Sequence, residues 1–204
     1  MSILFLDTTY DVTLGVLNDS HEWLALEVFQ GKKVSRTLQV EVHATMEKLG
    51  LELKSLKGIV TVAGPGFYTG LRLSEGFADV LKFFSVPHYS FYSYDILRCL
   101  ALEGTWMTKA YRGEYFFAHL RNGEVTTELI EATALADWAN LYPKVYVHSE
   151  TALDDKIREF FKTQSTFELF RSQGGAVLKQ VITENLQRSS YYFRAPEDEF
   201  RVSQ

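Results

Sequence analysis

The order of apolar runs in the first 84 residues is what most limits the fold. Ile3 to Leu6 is a short apolar run ending on Asp7-Thr8-Thr9. Val12 to Leu17 is a second, closed by Asn18-Asp19-Ser20, and Trp23 to Phe29 a third, followed by Gly31-Lys32-Lys33. Runs of this length between tight polar turns read as an antiparallel meander. From Ser35 to Leu49 the apolar spacing becomes helical, with Ser35 placed to cap the helix and Gly50 to close it. Gly58 to Ala63 reads as a buried strand broken by Gly64-Pro65-Gly66, and Thr69 to Phe84 as a second helix, ended by Val86-Pro87. Hairpins followed by a helical crossover require a mixed sheet with helices on it, hence an α/β fold.

A second unit is expected to begin near Tyr94, giving lobes 1–93 and 94–204. It opens with a helix from Ile96 to Leu102. Strands follow at Trp106–Ala110, Tyr115–Leu120 and Val125–Ile130. The remainder alternates: helix Ala132–Ala139, strand Val145–His148, helix Leu153–Phe161, strand Thr166–Leu169 and helix Ala176–Leu186. No low-complexity linker and no clear sequence repeat separates or relates the two lobes.

Composition narrows the function classes. Hydrophobic residues make up 46% of the 204 and charged residues 23%, enough for a packed core. A net charge of −5 argues against a chain that grips nucleic acid by itself, and basic residues occur only in scattered pairs such as Lys32-Lys33. The single cysteine, Cys99, allows no intrachain disulfide and fits a reducing compartment. The start reaches Asp7 without a basic segment, and no run approaches the roughly 18 apolar residues of a membrane span. The expected location is therefore cytoplasmic, with no membrane partner.

Catalytic motifs are missing. The five histidines, His21, His43, His88, His119 and His148, include no two at a spacing of three or four, and neither HExxH nor GxSxG occurs. Gly64-Pro65-Gly66-Phe67-Tyr68-Thr69-Gly70 follows a strand and opens a helix but lacks the Gly-Lys-Ser/Thr ending of a P-loop. Two readings stand. It is an anion site at a helix N-terminus, with Asp7, Thr8, Gly64, Gly66, Thr69, Gly70 and Arg72 as its residues. Or it is a tight turn in which Thr69 caps the helix and Arg72 fixes the loop.

Three stretches carry a resemblance: ILFLDTT near the N-terminus, VAGPGFYTGLRLSEGFADVL from Val62 to Leu81, and AYRGEYFFAHL from Ala110 to Leu120, with YYFR from Tyr191 as a weaker fourth. In this order they resemble the TsaB family of tRNA threonylcarbamoyladenosine biosynthesis. The resemblance implies an actin-like ATPase (ribonuclease H-like) fold of two related lobes with mixed sheets and flanking helices. It implies a non-catalytic subunit that supports the TsaD-like catalytic subunit, aided by a TsaE-like ATPase and reaching tRNA only indirectly. ATP and Mg or Zn are expected on those partners, and no cofactor on this chain.

The sequence departs from the family pattern in places that bear on chemistry. Phe67-Tyr68 replaces Ser-Phe in the glycine motif, and Val34-Ser35 stands where a His-Ser/Thr pair is usual. Actin-like enzymes organise Mg²⁺ with two carboxylates that face each other. Asp7 occupies the first position, but Lys109 and Tyr111 stand where the family's third motif places Asp and Arg. This weighs against the rival reading, an ATP-dependent phosphotransferase or metallopeptidase-like enzyme of the same fold.

A scaffold needs apolar surface beyond its own core. Leu38, Val42 and Leu49 stripe the first helix, widened by Val40, Ala44 and Met46. Leu73, Phe77, Val80, Leu81 and Phe84 make one face of the second, with Leu71, Ala78 and Phe83 in other directions. Helices apolar on more than one side are buried on more than one side. Leu38, Val42, Met46, Leu71, Ser74, Phe77, Ala78 and Leu81 are the residues expected to meet a partner, as half of a four-helix bundle. A homodimer through the same patch is the expectation when the partner is absent.

Overall fold

The computed structural model describes residues 2–30, 34–110, 113–149 and 155–192. The first unit opens with the expected meander, β1 (Ile3–Asp7), β2 (Val12–Leu17) and β3 (Trp23–Phe29), followed by α1 (Val34–Lys48), β4 (Gly58–Val62), α2 (Tyr68–Lys82) and β5 (His88–Phe91). The sheet order is β3-β2-β1-β4-β5. β1 runs antiparallel to β2 and β2 to β3, whereas β4 is parallel to both β1 and β5.

The second unit comprises α3 (Asp95–Cys99), β6 (Gly104–Lys109), β7 (Glu114–Arg121), β8 (Glu124–Glu131), α4 (Leu135–Leu141), β9 (Lys144–Val147), α5 (Asp155–Phe160) and β10 (Lys162–Ser165), and α6 (Thr166–Thr183) follows. Its sheet order is β10-β9-β6-β7-β8. Counted from β6 this is the order of the first sheet, with the same pattern of directions: β6–β7 and β7–β8 antiparallel, β6–β9 and β9–β10 parallel. Two sheets of one topology make the actin-like fold with two related lobes.

The lobe boundary falls between Tyr92 and Ser93, and the second lobe does not run to the C-terminus. Residues 178–192 group with residues 2–92, and Ser93–Val177 form the other unit. The return is held by backbone pairing. The Ser90 N–H donates to the Leu186 carbonyl at 2.9 Å, Arg188 N–H to Ser90 at 3.2 Å, and Tyr191 N–H to Ala63 at 2.8 Å. The strand expected at Thr166–Leu169 lies earlier, at Lys162–Ser165, because a helix begins at Thr166. There the Ser165 hydroxyl accepts the Glu168 N–H at 3.2 Å, as a helix cap does.

Each unit has its own core. In the first, Leu4, Leu6, Val12, Leu14, Val16 and Ile59 of the sheet meet Leu38, Val42, Met46, Ala78 and Leu81 of the two helices. In the second, Met107, Tyr115, Phe117, Val145 and Val147 meet Leu135, Ile157 and Phe161. Burying each Leu, Ile or Val contributes about 1.5–3 kcal/mol, which fixes strand register and helix face together. α1 ends as its sequence indicates. Gly50 adopts φ +64°, and Leu51 N–H returns to the Met46 carbonyl at 2.9 Å.

β5 was not anticipated from the sequence. His88, its first residue, lies beside Thr61 of β4, with Nε2 2.8 Å from the threonine hydroxyl. Burial, then the nearby Lys82, holds the His88 imidazole below its ordinary value of 6.5. The unfolded chain therefore takes up this proton more readily than the folded one. Stability should be full above about pH 6.5 and decline as pH falls through that value towards the depressed folded one. Urea titrations from pH 8 to 5 should show a decline that is smaller in His88→Gln; an identical decline in the variant would assign it to other groups.

Candidate functional site

The turn after β1 and the loop before α2 are built against each other. Asp7 is buried, and its Oδ1 accepts the Thr9 N–H at 2.9 Å and the Thr9 hydroxyl at 2.6 Å. A carboxylate so placed closes the turn, as Asp commonly does two residues ahead of a backbone donor. The Thr8 hydroxyl donates to the Gly70 carbonyl at 2.8 Å, and Phe67 N–H to the Thr9 carbonyl at 3.0 Å.

These approaches explain the glycines. A Cβ on Gly66 would lie 2.6 Å from the Thr9 Cβ and 2.9 Å from the Thr9 carbonyl oxygen, and one on Gly70 would overlap the Thr8 carbonyl oxygen. Gly64, at φ +106°, would bring a Cβ to 2.7 Å from the Tyr191 carbonyl oxygen. At all three positions the space a side chain would need is taken by the chain's own backbone. The tight-turn reading of this loop therefore has a direct structural basis, although Thr69 does not cap the helix. α2 begins at Tyr68, with Phe67 preceding it and no side-chain cap, and Thr69 is exposed.

Arg72 reaches back to Tyr68, where the loop enters α2. Its Nη1 pairs with Glu75 at 3.2 Å, and its guanidinium lies 5.5 Å from the ring centres of both Tyr68 and Tyr192. Hydrogen bonding to Tyr68, then the proximity of Tyr192, raises the Arg72 pKa further above its ordinary value. Glu75 also accepts the Ser190 hydroxyl, and Tyr192 OH lies 3.5 Å from its other oxygen. Residues 186–192 thus run beside β5 and fasten onto the first two turns of α2. Sequence reading did not find this cluster, because Glu75 and Ser190 are 115 positions apart.

The helix faces require a correction. Leu38, Val42, Met46, Leu71, Ser74, Ala78 and Leu81 are all buried in the first unit itself, none more than 3% exposed. Phe77 is half-buried and packs on the same core. Leu38, Val42, Met46, Phe77, Ala78 and Leu81 hold α1 and α2 to their own sheet, and Leu71 and Ser74 are buried too, so seven of the eight offer no docking surface. The outward side carries a different set: Val40 on α1, Val80 on α2, and Phe83 and Phe84 just past its end, exposed by 64, 55, 89 and 57%. Leu73, Phe77, Val80 and Phe84 follow at helical spacing along one flank of α2, with Gly76 beside them.

In the second unit Lys109 is exposed at the end of β6. Tyr111 lies outside the described residues, as do the side chains of Val34 and Ser35 and the whole of Lys32-Lys33. Among the described residues no group of three His, Cys, Asp or Glu side chains is placed to hold a metal ion. No helix among them is long and apolar enough to cross a membrane.

Comparison with known proteins gives a partial family match and a full-length fold match. The model of the family TsaD, tRNA N6-adenosine threonylcarbamoyltransferase, matches residues 30–86, the stretch that contains α1, β4 and α2. No curated protein matches the chain. YeaZ from Pseudomonas aeruginosa superposes with a TM-score of 0.61 at 17% identity, over 91% of this chain and 95% of that one. An uncharacterized protein with similarity to peptidase YeaZ from Pseudomonas aeruginosa gives 0.60 at 18%, over 93% and 99%. The ethanolamine utilization protein EutJ from Carboxydothermus hydrogenoformans gives 0.50 at 16%, over 87% and 88%. At these identities the likeness is one of fold.

Proposed function

We propose that this chain is a TsaB-type companion subunit that supports threonylcarbamoyl modification of tRNA by docking a TsaD-type catalytic subunit, without itself catalysing the reaction. The observation that carries this reading is the apolar side of α1 and α2, with Val40, Val80, Phe83 and Phe84 turned to solvent within the stretch that the TsaD family model matches. Aromatic and aliphatic side chains on adjacent helices suit burial against a matching helix pair. A TsaE-type ATPase and tRNA would join through the catalytic subunit.

Two features support a non-catalytic role. Lys109 offers no carboxylate where a second magnesium ligand would be needed. The glycine loop is packed against the Thr8–Thr9 backbone, and the Phe67 N–H, an amide at the start of α2, is spent on the Thr9 carbonyl at 3.0 Å. The same surface would pair two copies when the catalytic subunit is absent.

The test is to mix the chain with the TsaD-type subunit of the same organism and read the mass by light scattering. A one-to-one complex is expected. Val80→Asp with Phe84→Asp should weaken it by at least about 100-fold, roughly 2.7 kcal/mol, while leaving urea stability nearly unchanged because both sites are exposed. Val42→Asp serves as the opposite control and should unfold the first unit by burying an unpaired charge. No complex at micromolar concentration, or one that the double variant forms equally well, overturns the proposal. ATP turnover by the chain alone would instead favour the phosphotransferase reading.

A further inference from the structure

β8 is the last strand in the order β10-β9-β6-β7-β8, so among the described residues nothing pairs with its outer edge. It is long for an edge strand, eight residues, and pairs with β7 without a bulge from Glu114↔Glu131 to Arg121↔Glu124. None of its residues is buried. Free N–H and C=O groups on a regular edge form a template for another strand, and sheets blunt such edges with proline, bulges, short strands or charge. The edge strand of the first unit, β3, shows two such features: its pairing with β2 shifts register between Val16 and Leu17, and Glu27 pairs with Lys48 at 3.7 Å. β8 has charge of one sign alone, Glu124, Glu128 and Glu131, with no proline and no basic residue.

That charge selects the partner. A second copy of β8 set antiparallel about the strand centre would place Glu124 opposite Glu131, and parallel in register it would place each glutamate opposite itself. Like charges directly opposite destabilise a strand pair. A cationic strand meets the reverse situation. Glu124 and Glu128 lie on the same side of the strand, about 13 Å apart at 3.3 Å per residue.

A groove of about 650 Å³ opens on that side, lined by Glu124, Thr126, Glu128, Glu103, His119 and Tyr142 among others. It exists because α4, at seven residues, covers about 10 Å while the eight-residue strands beneath it span about 26 Å. His119 on its floor lies 3.0 Å from the Thr105 hydroxyl through Nδ1 and 2.9 Å from Glu128 through Nε2, which holds the Glu128 carboxylate against the groove. Arg121 and Lys144 also line it, so three carboxylates stand against two cations.

We propose that the free edge of β8 accepts an extended basic segment of a partner protein as an added strand, with Lys or Arg side chains four residues apart meeting Glu124 and Glu128. This surface belongs to the second unit and shares no residue with the α1 and α2 faces, so either proposal can fail without the other.

The test uses the full chain and a fluorescent ten-residue peptide with Lys at alternate positions and Val or Thr between. Binding should be micromolar and salt-sensitive, and it should slow hydrogen exchange at amides within 124–131. Glu124→Gln, which leaves the His119–Glu128 contact in place, should weaken binding at least about 5-fold. A peptide of the same charge N-methylated at every residue should lose binding at least about 10-fold, because it cannot join the ladder. Equal binding of the methylated peptide, protection confined to other segments, or no binding at all overturns the proposal.

Discussion

Gly70→Ala is expected to destabilise the first unit by more than about 4 kcal/mol, outside the range of most single substitutions. In an isolated helix the same change would be favourable, since Ala exceeds Gly in helix propensity by about 1 kcal/mol. Here the added methyl would overlap the Thr8 carbonyl oxygen, which is backbone and cannot rotate away. Relief requires α2 to separate from the β1–β2 turn, breaking the Thr8–Gly70 and Phe67–Thr9 hydrogen bonds and opening contacts of Leu71, Ser74 and Ala78. Gly76, six residues along the same helix, has nothing within 4 Å of its Cβ position. Gly76→Ala should therefore stabilise the chain by about 0.5–1 kcal/mol. Urea unfolding of the two variants decides the matter: opposite signs are expected, and a Gly70→Ala midpoint equal to that of the parent would mean that the close approach is not a feature of the folded chain.

Phe117→Ala should destabilise the second unit by about 3–5 kcal/mol. The ring is fully buried at the centre of the second core, 4.8 Å from Trp138 and 6.2 Å from Phe161 between centroids. Removing it leaves a cavity under a helix of only seven residues, which has little other packing to hold it. Trp138 gives the readout. Its fluorescence should change, and the unfolding midpoint should drop, in the Ala variant, while Phe117→Leu should lose much less by keeping most of the volume. An Ala variant as stable as the parent would show that the second core does not depend on this ring.

The elements that could be read from the sequence are those specified by local chemistry. The meander, the first helix and β4 follow from runs and turns within ten or so residues, and Gly50 ends α1 because only a residue at ease with φ +64° closes that helix cheaply. The start of α6 was missed: the short apolar run at Thr166–Leu169 suggests a strand, although Ser165 and Glu168 have the spacing of a capping box and the helix begins there. β5 was not legible. Its four residues, His88 to Phe91, carry little β-branched or aliphatic signal, and they are a strand because they pair with β4.

The site divides the same way. Glycines at 64, 66 and 70 announce a backbone that something approaches closely, and Asp7 announces a turn. That the approaching groups are Thr8, Thr9 and Tyr191 depended on how β1, α2 and the C-terminal segment pack. Periodicity along α1 and α2 reported more than one apolar direction, but an apolar side chain has the same preference for leaving water whether the cover is its own sheet or another protein. Packing against β1, β2 and β4 assigned Leu38, Val42, Ala78 and Leu81 to the interior and left Val40, Val80, Phe83 and Phe84 outside. The shared order of the two sheets was hidden for a related reason. Strand order is a property of which edges pair, and pairing joins residues far apart in the chain through backbone groups that every residue carries alike.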